Sequence, residues 1–155
     1  MSNWRDPEAW SALRSGEACP ICLDGGPRDV LAQLEASWVT MGDDGPMRGY
    51  VCLLFRRHAV ELHDLDDAEG AAFMRDIRRV SRALAVVTGA VKLNYEVHGN
   101  TLPHLHMHFF PRYVGDPFEG RPIDPRSVKM PVYAPGELAG MRRRILEELG
   151  AGAEG

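Results

Sequence analysis

The sequence predicts an α+β domain, an antiparallel sheet with helices packed largely on one face, and three observations carry the prediction. Val91, Leu93, Tyr95 and Val97 alternate with Lys92, Asn94, Glu96 and His98, the period of a half-buried strand. Leu105, Met107 and Phe109 alternate in the same way with His104, His106 and His108, so one face of a second strand packs while the other carries three of the chain's six histidines. Ahead of this pair, Phe73, Ile77, Val80, Leu84 and Val87 recur at three- and four-residue spacing, the stripe of an amphipathic helix. The resulting order, β-β-α-β-β with a helix at each end, is that of a sheet layered with helices.

Each element has its own signals. Asp6-Pro7-Glu8 offers a cap, a proline at the first helical position and an acid in the first turn, predicting a helix to about Ser15 that stops at Gly16 and docks through Trp10 and Leu13. Cys19-Pro20-Ile21-Cys22 reads as a tight turn, followed by a loop through Asp24-Gly25-Gly26-Pro27. Val30 to Thr40 reads as one strand, which a turn over Met41 to Pro46 returns as a second, Gly49 to Phe55. Cys52 lies among Val51, Leu53 and Leu54 as a small buried hydrophobe. Asp66 and Glu69 form a capping box that opens the long helix, which runs to about Val87 and ends at Gly89. Strand Val91 to Val97 turns at Gly99-Asn100 into the histidine strand, bounded by Pro103 and Pro111. Gly115 to Pro135 is a proline- and glycine-rich loop; a last helix from Glu137 to Leu149 presents Leu138, Met141, Ile145 and Leu149 inward, and Gly150 to Gly155 is expected to be disordered.

A chain of 155 residues forms one domain, within which residues 1–18 are an N-terminal helical segment, 19–114 the core and 115–155 a C-terminal loop, helix and tail. The net charge of −4 argues against a broad nucleic-acid or anionic-membrane surface, so an anionic ligand needs a local site. The amino terminus has no signal-peptide core and no run approaches the roughly 18 apolar residues of a membrane span, which predicts a cytoplasmic protein. Three cysteines do not make a disulfide framework, leaving the Cys19/Cys22 pair for metal or redox work.

On a strand, His104, His106 and His108 would stand about 6.5 Å apart along one face. Imidazole is both neutral and nucleophilic near pH 7, so such a row suits metal binding or acid–base and covalent chemistry on an anionic substrate; a histidine-rich surface strand is the bland alternative. His-x-His-x-His followed by two apolar residues and Pro111-Arg112, with the lead-in Asn94 to Leu102, resembles the signature of the histidine triad (HIT) superfamily of nucleotide hydrolases and transferases, over about Cys19 to Arg112. The resemblance implies a nucleotide substrate such as a diadenosine polyphosphate, His106 as nucleophile on its α-phosphorus, and His104 and His108 as the other members of the catalytic triad. His108 would share contact with the departing group with Thr101. Asn94 and Asn100 would lie near the phosphate, and Arg112 would either join them or pair with an acid at the strand end. His98 reads as a surface residue. The resemblance also implies a homodimer, compatible with the apolar stripe of the long helix and with the strand edges.

Two thiolates leave tetrahedral zinc two ligands short, and His58 and His104 are the candidates for the rest. The nucleotidyltransferase branch of the superfamily resembles this arrangement, which implies a structural zinc on Cys19, Cys22, His58 and His104 and no organic cofactor. A metal-free turn and a redox pair are the alternatives, the latter disfavoured because no βαβ unit surrounds it. Two other functional classes stay open. One is a metal module in which all three triad histidines hold a single ion, although the next acid is as far on as Asp116; the other is a nucleotide-binding protein without turnover. His108 at the third position favours hydrolysis over transfer, because imidazole can help both a departing group and an incoming water. Dinucleoside polyphosphates, phosphoramidates and aminoacyl adenylates all present a suitable α-phosphate.

Overall fold

The computed structural model describes residues 3–151, with helices α1 (Pro7–Ser15), α2 (Pro20–Leu23), α3 (Asp67–Thr88) and α4 (Glu137–Ala151). Strands β1 (Val30–Gln33), β2 (Ser37–Thr40), β3 (Val51–Phe55), β4 (Lys92–Glu96) and β5 (His106–Arg112) form one antiparallel sheet in the order β1-β2-β3-β5-β4. The predicted α+β class is the one observed. No helix among the described residues is long and apolar enough to cross a membrane.

The helix signals act as expected. Asp6 caps α1 by accepting the Ala9 N–H, and Gly16 closes it at φ +91°. Asp66 and Glu69 form a reciprocal capping box on α3, which ends at Gly89 in the left-handed region. Phe73, Ile77, Val80, Leu84 and Val87 pack with Met141, Ile145 and Leu149 of α4 against Val51, Leu53, Phe55, Leu105 and Phe109. That stripe is the domain's own core, so it is not available to a second subunit. The β4 edge differs: Val91, Tyr95 and Val97, expected to be half-buried, are exposed there.

Four boundaries depart from expectation for identifiable reasons. Val30 to Thr40 is two strands, because the chain reverses over Leu34 to Ala36, where buried Asp76 of α3 accepts the N–H groups of Glu35 and Ala36 and the Ser37 hydroxyl. The second strand starts at Val51, since Gly49 takes φ +82°. The Cys19–Cys22 segment is one turn of helix, begun by Pro20. The histidine strand is displaced: it starts at His106 and runs through Pro111 to Arg112, leaving His104 outside the ladder. Helix α4 continues to Ala151, and the rest of the tail expected to be disordered lies outside the described residues.

Candidate active site and metal cluster

Strand β5 lies between β3 and β4, and its alternation separates two environments. Leu105 and Phe109 are buried, and Met107 packs, in the core beneath α3 and α4; His106, His108 and Phe110 belong to the opposite face. In register, Leu54 and Cys52 of β3 face His106 and His108, while Glu96 of β4 faces His108 and Asn94 faces Phe110. Cys52 is buried, and burial pushes its thiol up to about 12, consistent with a packing role.

The imidazole of His106 is oriented by its own chain. Its Nδ1 lies 2.6 Å from the carbonyl oxygen of His104, which can only accept, so Nδ1 carries the proton and Nε2 keeps a free lone pair. Burial, with smaller effects from neighbouring charges, holds His106 below the ordinary histidine value and takes His108 down to about 4, so both rings are neutral near pH 7. The two rings meet edge to face at 4.7 Å. Beside His108 opens a cavity of about 470 Å³ whose lining includes Tyr50, Glu96, His98, Asn100 and Arg126.

Other sequence candidates occupy different places. Asn100 borders the cavity and Thr101 is exposed on the same loop. Asn94 lies two residues along β4 from the partner of His108, and its Oδ1 accepts from Arg112 at 2.7 Å. Arg112, expected among the substrate-binding residues, is instead buried and fully engaged. Its five N–H groups reach both carboxylate oxygens of Asp116, Oδ1 of Asn94 and the carbonyls of Arg121 and Phe118. No N–H is left for a phosphate. Of its two sequence readings, pairing with an acid at the strand end is the one observed.

Three features escaped the sequence reading. The Tyr50 hydroxyl lies 2.7 Å from His108 Nδ1, and the rings of Tyr50 and Phe110 both stack on His108. His98, read as a surface residue, is exposed but packs its ring 5.6 Å from His108 and bonds Glu96 at 2.8 Å. The only signal for Tyr50 was its place two residues before Cys52, on the face that antiparallel pairing turns toward the histidines.

His104 does not complete a row with the other two. Its Nε2–H donates to the Phe55 carbonyl at 2.7 Å, leaving the Nδ1 lone pair 3.5 Å from Cys19 Sγ and 3.7 Å from Cys22 Sγ. His58 repeats the device: Nε2–H donates to the Arg14 carbonyl at 2.8 Å, and Nδ1 lies 3.3 Å from Cys22 Sγ. Gly16 permits this approach, since a Cβ there would meet the His58 ring at 3.1 Å. Two sulfurs and two nitrogens thus converge within 4.8 Å of one another. Tetrahedral zinc with Zn–S and Zn–N bonds near 2.3 and 2.0 Å requires sulfur–nitrogen separations of about 3.5 Å, so the donor set fits that ion, with carbonyl-anchored imidazoles as its outer support.

Comparison with known proteins agrees with this geometry. No curated protein matches the chain. Among solved structures, a histidine triad protein from Bradyrhizobium japonicum is similar at 33% identity and TM-score 0.69, over 77% of this chain and 89% of that one. A histidine triad (HIT) protein from Sinorhizobium meliloti 1021 is similar at 25% identity and TM-score 0.69, over 78% and 90%. A Zn-bound histidine triad family protein from Mycobacterium smegmatis shares the fold at 20% identity and TM-score 0.58, over 92% and 96%. The model of the HIT domain matches residues 26–115, more than half of the sequence and the whole span from β1 to the end of β5, and the chain therefore belongs to the HIT domain family.

Proposed function

We propose that the chain is a nucleotide hydrolase that cleaves at the α-phosphate of a dinucleoside polyphosphate, phosphoramidate or similar nucleotide through a covalent nucleotidyl-His106 intermediate. The observation that carries this reading is the 2.6 Å bond from His106 Nδ1–H to the His104 carbonyl, which aims a neutral Nε2 lone pair away from the backbone. In the first half-reaction Nε2 bonds to the α-phosphorus and the P–O or P–N bond to the departing group breaks. In the second, water takes the phosphorus, the N–P bonding pair returns to His106, and the surplus proton passes to solvent. His108 assists at the departing atom, Asn100 and Thr101 border the phosphate, and Asn94 with Arg112 braces the end of β5.

Cys19, Cys22, His58 and His104 hold a structural zinc in this reading, supported by their fit to a tetrahedral ion and by the Zn-bound mycobacterial relative. The ion would fasten α2 and the loop after β3 to the residue that orients the nucleophile. A homodimer would join through the exposed β4 edge, and light scattering at twice the 17.2 kDa chain mass tests it.

Incubation with a panel of nucleotides, with and without excess sugar phosphate or inorganic phosphate, tests the activity. Free mononucleotide regardless of acceptor is the expected product, and strict dependence on an acceptor would reassign the chain as a transferase.

A further inference from the structure

Glu96 and His98 form a carboxylate–imidazole pair beside His108 that the first half-reaction leaves unused. We infer that His98 is the general base that activates water in the second half-reaction, with Glu96 as the positioning residue behind it. The inference rests on the nucleotidyl-transfer reading above and adds the group that receives the water's proton.

Sheet register puts the pair in place. Glu96 of β4 lies opposite His108 of β5, and His98 follows two residues on, just past the end of the strand. The His98 ring is 5.6 Å from that of His108, and both line the cavity of about 470 Å³ together with Glu96 and Asn100. A carboxylate oxygen can only accept, so the 2.8 Å contact between Glu96 Oε2 and His98 Nε2 puts the proton of the neutral ring on Nε2. Nδ1 keeps its lone pair and has no hydrogen-bond partner among the described residues. An imidazole held in this way is ready to act as a base: the carboxylate fixes its tautomer and stabilises the imidazolium formed when Nδ1 takes a proton.

The stereochemistry of two successive displacements says where such a base must stand. Attacking and departing atoms lie roughly in line on either side of the phosphorus. His106 attacks in the first half-reaction and departs in the second, so water enters where the first departing group left, beside His108. The cavity bordered by His98 opens on that side. Its other groups are poorly suited to take a proton. Burial holds His108 down at about 4 and keeps the Tyr50 phenol protonated, Asp124 Oδ1 already accepts the Arg126 N–H, and the Arg126 guanidinium only donates. As the water oxygen bonds to phosphorus, the N–P bond breaks with its electron pair returning to His106 Nε2, and the water proton passes to His98 Nδ1 and from there to solvent, which reaches this exposed ring.

The test separates the two half-reactions. In rapid-quench single turnovers of a nitrophenyl ester of a nucleoside monophosphate, nitrophenolate release reports adduct formation and mononucleotide release reports hydrolysis. In His98→Gly, adduct formation should stay within about twofold of wild type while hydrolysis slows about a hundredfold, the value of a general base. The mononucleotide adduct should then accumulate on the His106 peptide, and added imidazole should restore hydrolysis. Glu96→Gln, which keeps an acceptor for Nε2–H but loses the charge, should slow hydrolysis alone by about tenfold. An equal slowing of both steps in His98→Gly, hydrolysis at the wild-type rate, or a loss that imidazole does not restore would overturn the inference while leaving nucleotidyl transfer intact. A wild type that releases nitrophenolate without forming a His106 adduct would remove the underlying reading and the inference with it.

Discussion

Replacing Arg112 with alanine separates a bracing role from a substrate-binding one. The guanidinium side chain is 9% exposed and the Asp116 carboxylate 4%, joined by two hydrogen bonds of 2.9 Å. Removing one partner of such a pair leaves the other charge buried and alone, which costs about 3–5 kcal/mol, and the Phe118 and Arg121 carbonyls lose their donors too. The pH dependence gives an independent check. Arg112, through its hydrogen bonds, pulls the Asp116 carboxyl from 3.8 to about 2. A folded-state value below the unfolded one means stabilisation that is complete above about pH 4 and is lost as pH falls toward 2; at 1.36 kcal/mol per unit this amounts to roughly 2.5 kcal/mol. Urea unfolding of wild type and Arg112→Ala should therefore differ by several kcal/mol at pH 7 and by much less near pH 2.5. Arg112→Lys should fall between, since an ammonium has three donors and not five. A loss below about 1 kcal/mol combined with a tenfold rise in KM would refute the reasoning and return the guanidinium to the substrate.

Other outcomes follow from the same geometry. His106→Gly should abolish turnover with little change in unfolding midpoint, because the ring contributes nothing to the core beneath α3; mass spectrometry of acid-quenched wild-type turnover should find a mononucleotide on the His106 peptide, and an unmodified peptide refutes the covalent route. Metal analysis should give about one zinc per chain, lost together with thermal stability in a Cys19→Ser, Cys22→Ser double variant; a metal-free wild type that zinc does not stabilise refutes the assignment. His108, lowered to about 4 by burial, binds its proton later than the same residue in the unfolded chain, so stability should decline as pH falls from about 6.5 toward 4, by on the order of 3 kcal/mol, and His108→Gln should flatten that part of the curve in urea titrations. Asp76→Ala strands two backbone N–H groups and the Ser37 hydroxyl, and should cost about 3 kcal/mol with KM unchanged, measured by urea unfolding and steady-state kinetics.

What was legible in the sequence was whatever local period or cap chemistry determines. The α3 stripe and its Asp66/Glu69 box, and the inward set Leu105, Met107 and Phe109, follow from spacing alone, and the structure places them as read. The failures involve residues distant in sequence. Val30 to Thr40 contains no glycine or proline to announce a reversal; the hairpin there depends on Asp76, which accepts from Glu35 and Ala36 at separations of 41 and 40 residues. His104 has the right spacing for a strand face, but Phe55 and the cysteines recruit its ring elsewhere. Arg112 is followed four residues on by the acid that engages it, a pairing compatible with either of its sequence readings until burial is known. Tyr50 has only its spacing from Cys52 to mark it in sequence, because its partner His108 lies 58 residues away and is set by the register between β3 and β5.

His104 also explains why the two motifs of this chain belong together. The His-x-His-x-His stretch and the Cys-x-x-Cys pair look like separate constellations, one chemical and one bracing. They meet in this residue: its ring faces the two cysteines through Nδ1, while its carbonyl holds the proton on His106 Nδ1. The peptide unit that fixes the His106 tautomer is therefore clamped from the cluster side, where the Phe55 carbonyl at the end of β3 takes the remaining ring N–H. Both imidazoles of the cluster are anchored to carbonyls through Nε2, so the donor set is held by the fold and does not depend on side-chain chance. On the function proposed above, disturbing the cluster should thus reach the chemistry through one backbone oxygen: a shifted His104 releases His106 to the other tautomer, whose Nε2 carries a proton and could not attack phosphorus. On the function proposed above, that coupling would give the cysteine pair a reason to share a small domain with His106.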